Sequence, residues 1–314
     1  MSLNSAELDT PILERGDVGL ERTDGASASD TAGERPVRRW GESIAGPAGL
    51  AFYIAMLTIC GFFFMLPGFD LSLQIVFGSL SGLSFLFLFL THQIDPGVIP
   101  PSSVKDPTVA AVEENRISSM EAGMWRGPTG TWVRAQGVSG EERMQQERYC
   151  SSCNIWRPPR ASHCNTCGYC FERFDHHCGA MGTCVAKGNH RFFVAFLFCS
   201  SSACILLLVT GCMQLHYNGF PTQKDEWGKA TTYILCTMIL VVGYSSFIWF
   251  FAMSHCAMLL CDVTSKQLAC SQGSGGSSHQ CTAHVRGIMT NLGSVCCGPV
   301  LWKHRTLLND DDKI

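Results

Sequence analysis

Charge is scarce in this sequence. Only 16% of its 314 residues are Asp, Glu, Lys or Arg, against 46% hydrophobic, a balance too apolar for an ordinary soluble chain of this length. It reads as a polytopic membrane protein. The formal net charge is −3, which argues against bulk electrostatic binding to nucleic acid. Sorting signals are sparse as well. No charged-then-apolar signal peptide opens the chain, so the first apolar run is expected to serve as an uncleaved signal. Ser2 stands where N-myristoylation needs a glycine, and the ending Asp310-Asp311-Asp312-Lys313-Ile314 is not an ER-retention signal. Residues 1–43 have few large apolar side chains and no period, and are expected to be disordered and cytosolic.

What is abundant is uncharged apolar sequence. Gly49–Leu66 and Leu71–Leu90 carry no charge and are separated only by Pro67-Gly68-Phe69-Asp70, which predicts a helical hairpin across a bilayer rather than two buried core helices. Phe192–Leu215 gives a third span. Ala230–Leu260 gives a fourth, long at 31 uncharged residues, with His255 near its end expected to be interfacial or packed. Arg35, Arg38 and Arg39 precede the first span, Arg173, Lys187 and Arg191 precede the third, and Lys303 and Arg305 follow the fourth; the opposite loops hold only Lys224 and Lys229. By the positive-inside rule both termini and the region between the second and third spans are cytosolic.

That region contains a cysteine-rich stretch, Tyr149–Asn189, with seven of the eighteen cysteines. Cys150, Cys153, His163 and Cys170 follow the spacing C-x2-C-x9-H-x6-C, and fourteen residues later Cys164, Cys167, His177 and Cys184 repeat it. Each set offers three thiolates and one imidazole, the donor set of a closed structural zinc site. Two zinc ions are expected. The alternatives, chance clustering or a disulfide framework, do not account for two interleaved copies at one period, and a reducing compartment suits this cysteine usage better.

Cys178 belongs to neither set. Beside it stand Asp175 and His176, so a carboxylate, an imidazole and an uncommitted thiol adjoin the ligand His177. This is the composition of an activated nucleophile. The bland alternative is a Cys-His pair that only completes the finger.

The uninterrupted string C-x2-C-x9-HC-x2-C-x2-C-x4-DHHC-x5-C, Cys150 to Cys184, resembles the cysteine-rich domain of the DHHC protein S-acyltransferases. Asp95-Pro96-Gly97 resembles that family's DPG motif, Thr264-Ser265-Lys266-Gln267 its TTxE motif imperfectly, Arg157-Pro158-Pro159-Arg160 its K-P-x-R element, and Asn291–Gly298 weakly its C-terminal element. The resemblance covers about residues 44–300 and implies an α-helical integral membrane protein with four transmembrane helices and a cytosolic two-zinc domain between helices 2 and 3. The divisions expected are a cytosolic tail 1–43, a hairpin 44–91, a connection 92–148, the zinc domain 149–191, two further helices within 192–260 and a tail 261–314.

The resemblance implies a function too. Cys178 takes a palmitoyl or similar group from acyl-CoA and passes it to protein substrates with cytosolic cysteines near the membrane, with His176 as general base and acid, oriented by Asp175. Phe192, Phe193 and Phe196 become candidates to line an acyl tunnel, ordinary lipid-facing aromatics being the alternative. Arg157 and Arg160, with Lys187 and Arg191, are candidates for the phosphates of CoA, or for solvent and lipid headgroups. The bilayer is a partner because a palmitoyl chain gains about 0.8 kcal/mol per buried methylene. The compartment implied is Golgi, endosomal or plasma membrane.

The chain departs from the family at Gly179-Ala180, where Pro-Trp is usual, at Thr183 in place of Asn and at Ala186 in place of Gly. The missing ring removes an apolar contact surface. A catalytically silent zinc scaffold that binds a partner protein is therefore the alternative function. A nucleic-acid module is not expected, because the fingers lack a strong basic face. Residues 96–148, with Trp125 and Trp132, read as a linker or a docking surface, and Ser271–Gln280 as a flexible tether. Cys296 and Cys297 are either acylation sites or buried thiols.

Overall fold

The computed structural model describes residues 44–137, 144–218, 229–261, 263–266 and 300. The expectations for residues 1–43, Lys224, Gln267, Ser271–Gln280, Asn291–Gly298, Cys296, Cys297, Lys303 and Arg305 lie outside them.

Among the described residues, four helices are long and apolar enough to cross a membrane. The first is α1 (Ala45–Cys60), continued by a π-helical turn at Gly61–Met65; the second is α2 (Leu71–Gln93). The hairpin between them turns at Gly68, whose φ of 85° lies in the left-handed region that only glycine enters freely. Phe52, Phe63, Ile75, Ile239 and Phe250 point outward and exposed, the pattern of helices solvated by hydrocarbon instead of water. The other two spans are longer than the apolar runs alone suggest, because polar ends extend them: one starts at His190 and the other at Lys229.

The extramembrane elements begin directly after α2. They are β1 (Val98–Ile99), α3 (Pro107–Glu113), β2 (Met124–Arg126), β3 (Trp132–Gly137), β4 (Met144–Cys150), β5 (Ile155–Arg157), β6 (Ser162–Cys164), β7 (Tyr169–Phe171), β8 (His176–Cys178) and β9 (Thr183–Val185). Then come α4 (His190–Asn218) and α5 (Lys229–Leu260). α4 packs on both α2 and α5, and α1 packs on α2.

The connection at 96–148 is folded rather than a bare linker. β2, β3, β4 and β5 form an antiparallel sheet in that order. Trp132, Tyr149, Met124, Val109 and Val112 are buried together there, with Trp156 against them, while Trp125 is exposed. The Asp106 side chain caps α3 by accepting from the N–H groups of Thr108 and Val109, and accepts the Trp156 indole N–H at 3.1 Å. β4 runs through the division at 148/149 read from the sequence, so the sheet and the cysteine-rich stretch share a strand.

The sequence repeat reappears as backbone register. In the β6–β7 hairpin His163 lies opposite Cys170, and in the β8–β9 hairpin His177 lies opposite Cys184. Equivalent ligands thus occupy equivalent positions on two short hairpins. Each Cys-x2-Cys pair meanwhile spans a turn, between β4 and β5 or between β6 and β7.

Polar side chains join this module to the helices. Asp95 accepts from the N–H groups of Gly97 and Val98 at 2.8 and 3.0 Å, turning the chain from α2 into β1. β1 pairs with β7. Gly188 lies against the Asp95 carbonyl, where any Cβ would collide, and donates to Pro96 O at 3.0 Å. Buried Asn189 donates to Thr91 O on α2 and to Cys184 O and accepts from Ala186 N–H. One amide therefore fastens α2, a ligand strand and the entry to α4. Met181 and Val185 complete the anchorage by entering the helix core among Ile54, Leu88, Phe193, Phe196 and Ile248.

Candidate active site

The zinc sets assemble as the spacing implies. The donor atoms of Cys150, Cys153, His163 and Cys170, and those of Cys164, Cys167, His177 and Cys184, lie within 4.8 Å of one another in each set. His163 Nδ1 is 3.3, 3.6 and 3.8 Å from the sulfurs of Cys153, Cys150 and Cys170. His177 Nδ1 is 3.4, 3.5 and 3.8 Å from those of Cys167, Cys184 and Cys164. Zn–S bonds of about 2.3 Å and Zn–N bonds of about 2.0–2.1 Å give tetrahedral edges of roughly 3.5–3.8 Å, so both cages fit zinc. All six cysteines are buried.

Strand geometry separates chemistry from ligation. Successive side chains on β8 point to opposite faces, so His176 and Cys178 share one face while His177 turns to its cage. Cys178 is a free, half-buried thiol packed against the core that holds Phe193 and Phe196.

Asp175 is 2% exposed and fully engaged. Its Oδ2 accepts from His176 Nδ1–H at 2.7 Å and from Ser265 Oγ–H at 2.9 Å, and its Oδ1 accepts from Ser265 N–H at 2.7 Å. The carboxylate fixes the imidazole tautomer and leaves Nε2 for the thiol. Nε2 is buried and makes no hydrogen bond among the described residues, while the imidazole and the Cys178 thiol are close enough to influence each other's charge. Reactive pairs of this kind often tighten only with substrate bound.

Electrostatics favour an ion pair. Burial would lower the His176 pKa, yet the bonds to Asp175 and Cys178 outweigh it and hold the imidazole at about 9. Burial would raise the Cys178 thiol, yet His176 brings it below the ordinary value. Asp175 is also opposed by burial and is held well below the carboxylate range by His176, the nearby His190 and Ser265. The thiolate is the nucleophilic form.

The remaining sequence candidates divide. Phe193 and Phe196 are fully buried in the core that touches Cys178, and the Phe193 ring lies 5.5 Å from that of His176. Phe192 is half-buried beneath the Arg191 guanidinium, outside that core. Arg157 Nε donates to Arg148 O, and Arg160 occupies a turn with φ of 67°. His255 is packed rather than interfacial, its ring 5.7 Å from that of His176. Ser265 is a site residue that the sequence reading did not assign. Its only signal was its place in the imperfect TTxE resemblance.

The departure at Gly179-Ala180 has a structural counterpart. Both residues are exposed, and Gly46 in the first turn of α1 lies directly against the Gly179 carbonyl, closer than a Cβ would permit.

Residues 143–271 match the family model for DHHC palmitoyltransferases. The chain is similar to that family over these residues. Over 298 residues it is 29% identical to palmitoyltransferase ZDHHC18 of Homo sapiens, a match that covers 85% of this chain and 74% of the relative. It is 36% identical over 154 residues to probable protein S-acyltransferase 1 of Arabidopsis thaliana, covering 47% of this chain and 44% of that one. The DHHC string itself is Asp175 followed by His176-His177-Cys178 of β8, so the matched residues and the Asp-His-thiol geometry coincide.

Proposed function

We propose that this chain is a membrane-bound protein S-acyltransferase that moves a palmitoyl or similar long-chain acyl group from acyl-CoA, through an acyl-Cys178 intermediate, to cysteines of proteins. The carrying observation is Cys178 itself, the one thiol of the module outside both ligand cages, on the same strand face as an imidazole hydrogen-bonded to a buried carboxylate.

In the first half-reaction Cys178 Sγ attacks the thioester carbonyl of acyl-CoA, its proton resting on His176. The C–S bond to CoA breaks, and the leaving thiolate takes that proton. In the second, His176 accepts the proton of an acceptor cysteine, whose sulfur attacks the acyl-Cys178 thioester. Cys178 leaves as thiolate and the proton stays on His176, which restores the ion pair. Asp175 holds the ring in place and stabilises its charged form.

The two sets of three cysteines and one histidine would hold zinc, which supplies folding energy to a segment with little hydrophobic core of its own. The acyl tail is assigned to the helix bundle. Ile54 belongs both to the core touching Cys178 and to the wall of a cavity inside the bundle, whose lining includes Leu57, Phe77, Leu207 and Tyr244. Phe193 and Phe196 would line the route between them. Phosphates of CoA would meet Arg157 and Arg160. The positive-inside distribution supports a cytosolic module with both termini on that side, and the membrane is assigned as Golgi, endosomal or plasma membrane. Nothing in the comparisons favours a silent scaffold over an enzyme.

Turnover tests the reading. Purified protein in detergent, given palmitoyl-CoA and an acceptor peptide with a membrane-proximal cysteine, is expected to release CoA continuously and to acylate the peptide. CoA release no faster than in Cys178→Ser sinks it.

A further inference from the structure

Behind the nucleophile lies a third cluster, of which the acyl-transfer chemistry uses only Asp175. Asp175, His190 at the start of α4 and His255 on α5 are each 2% exposed. Their potential donor atoms lie within 4.8 Å of one another. His190 Nε2 and His255 Nδ1 are buried and have no hydrogen-bond partner among the described residues. A buried unpaired polar atom is costly, and two on rings clustered with one carboxylate mark a place built for something else. Aromatic packing holds the rings there: the His255 ring lies 5.0 Å from those of both Phe193 and Phe251, and 5.8 Å from that of His190.

We propose that Asp175, His190 and His255 form a third divalent-cation site, of the open type with two histidines and one carboxylate that zinc accepts, and that its occupancy switches the acyltransferase off. The chemistry is set by the donors. Two imidazole nitrogens and one carboxylate oxygen suit zinc, cobalt or iron and lack the thiolates that close the two structural cages. The regulatory part rests on the acyl-Cys178 reading above. Asp175 has donors on both oxygens already, so a cation drawing on the same carboxylate competes with the bond that orients His176. It also places positive charge beside the ring that must receive a proton. Capture of His190 and His255 leaves the nucleophile in place and disables its base.

The experiment uses the full chain in detergent, chelator-washed to two zincs, then titrated with Zn2+. Bound metal is counted by mass spectrometry, and thioester label on Cys178 is followed with labelled palmitoyl-CoA. Wild type is expected to take a third zinc while labelling falls about tenfold or more, both reversed by a chelator that leaves two zincs behind. His255→Phe, which keeps a ring in the aromatic packing, is expected to hold two zincs, refuse the third and lose the inhibition; His190→Phe is expected to do the same. Co2+ provides a readout needing no variant: the third equivalent should add visible d–d bands without thiolate charge-transfer absorption. A wild type that stops at two metals, a third metal that survives in both variants, or a third cobalt with thiolate charge transfer overturns the site. A third metal that leaves labelling unchanged overturns the regulation. Absence of label before zinc is added counts against the acyl-enzyme reading, while the metal count still decides the site.

Discussion

At Asp175 one buried carboxylate receives three hydrogen bonds, from His176 and twice from Ser265, and this fixes what each substitution should do. His176→Ala is expected to slow acylation of Cys178 by roughly a hundredfold or more, the usual loss for a general base, with both zincs retained. Ser265→Ala should cost less, because Ser265 N–H still holds Oδ1. Equal losses in the two variants would contradict the division of labour. The pH dependence follows from the His176 pKa, raised to about 9 from an ordinary value of about 6.5. The charged ring thus favours the fold fully below about pH 6.5, and that contribution is lost as pH rises through about 9. Alkylation of Cys178 by iodoacetamide should accordingly be fast and nearly flat from neutrality to about pH 8, whereas in His176→Ala it should climb with pH as for a thiol held above its ordinary value by burial. Identical profiles would remove the ion pair from the account. The zinc ligands and the Asp-His-Cys run were readable as spacing. Ser265 and His255 were not, since they reach Asp175 and His176 only through the path of α5, about 90 and 80 residues away in sequence.

Elements meet the site at two tight points. Gly46 of α1 abuts Gly179, so Gly46→Val should push α1 from the loop after Cys178. A destabilisation of about 1–3 kcal/mol is expected, with weaker acylation and an unchanged zinc count. Full activity would mean that this contact does not position the loop. Asn189→Ala strands the Thr91 and Cys184 carbonyls and the Ala186 N–H, and should lower the melting temperature more than any exposed substitution on β2 or β3. An unchanged melting temperature would deny Asn189 its joint role. The apolar helices were legible because lipid demands long uncharged runs. The β2–β5 sheet was not, because its strands are short and Met144-Gln145-Gln146-Glu147-Arg148 shows no alternation. Buried Trp132 and Tyr149, rather than a period, hold it together.

The molecule as a whole couples a metal-dependent module to a bundle in hydrocarbon. The four apolar helices among the described residues make it a membrane protein, and the proposed orientation predicts that protease added from the cytosolic side cuts within the 96–148 connection and that Lys224 is reached only from the other side. Protection of that connection from cytosolic protease would contradict that orientation. Stripping both zincs should unfold the module while leaving the helices in place, since Met181 and Val185 are the apolar anchors of the module in the bundle core. The central claim is tested most directly by the thioester itself. Incubated with labelled palmitoyl-CoA, the purified chain should carry a hydroxylamine-sensitive label on Cys178 that Cys178→Ser abolishes while keeping two zincs. Label that persists in Cys178→Ser, or none on wild type across a range of acyl lengths, would contradict it.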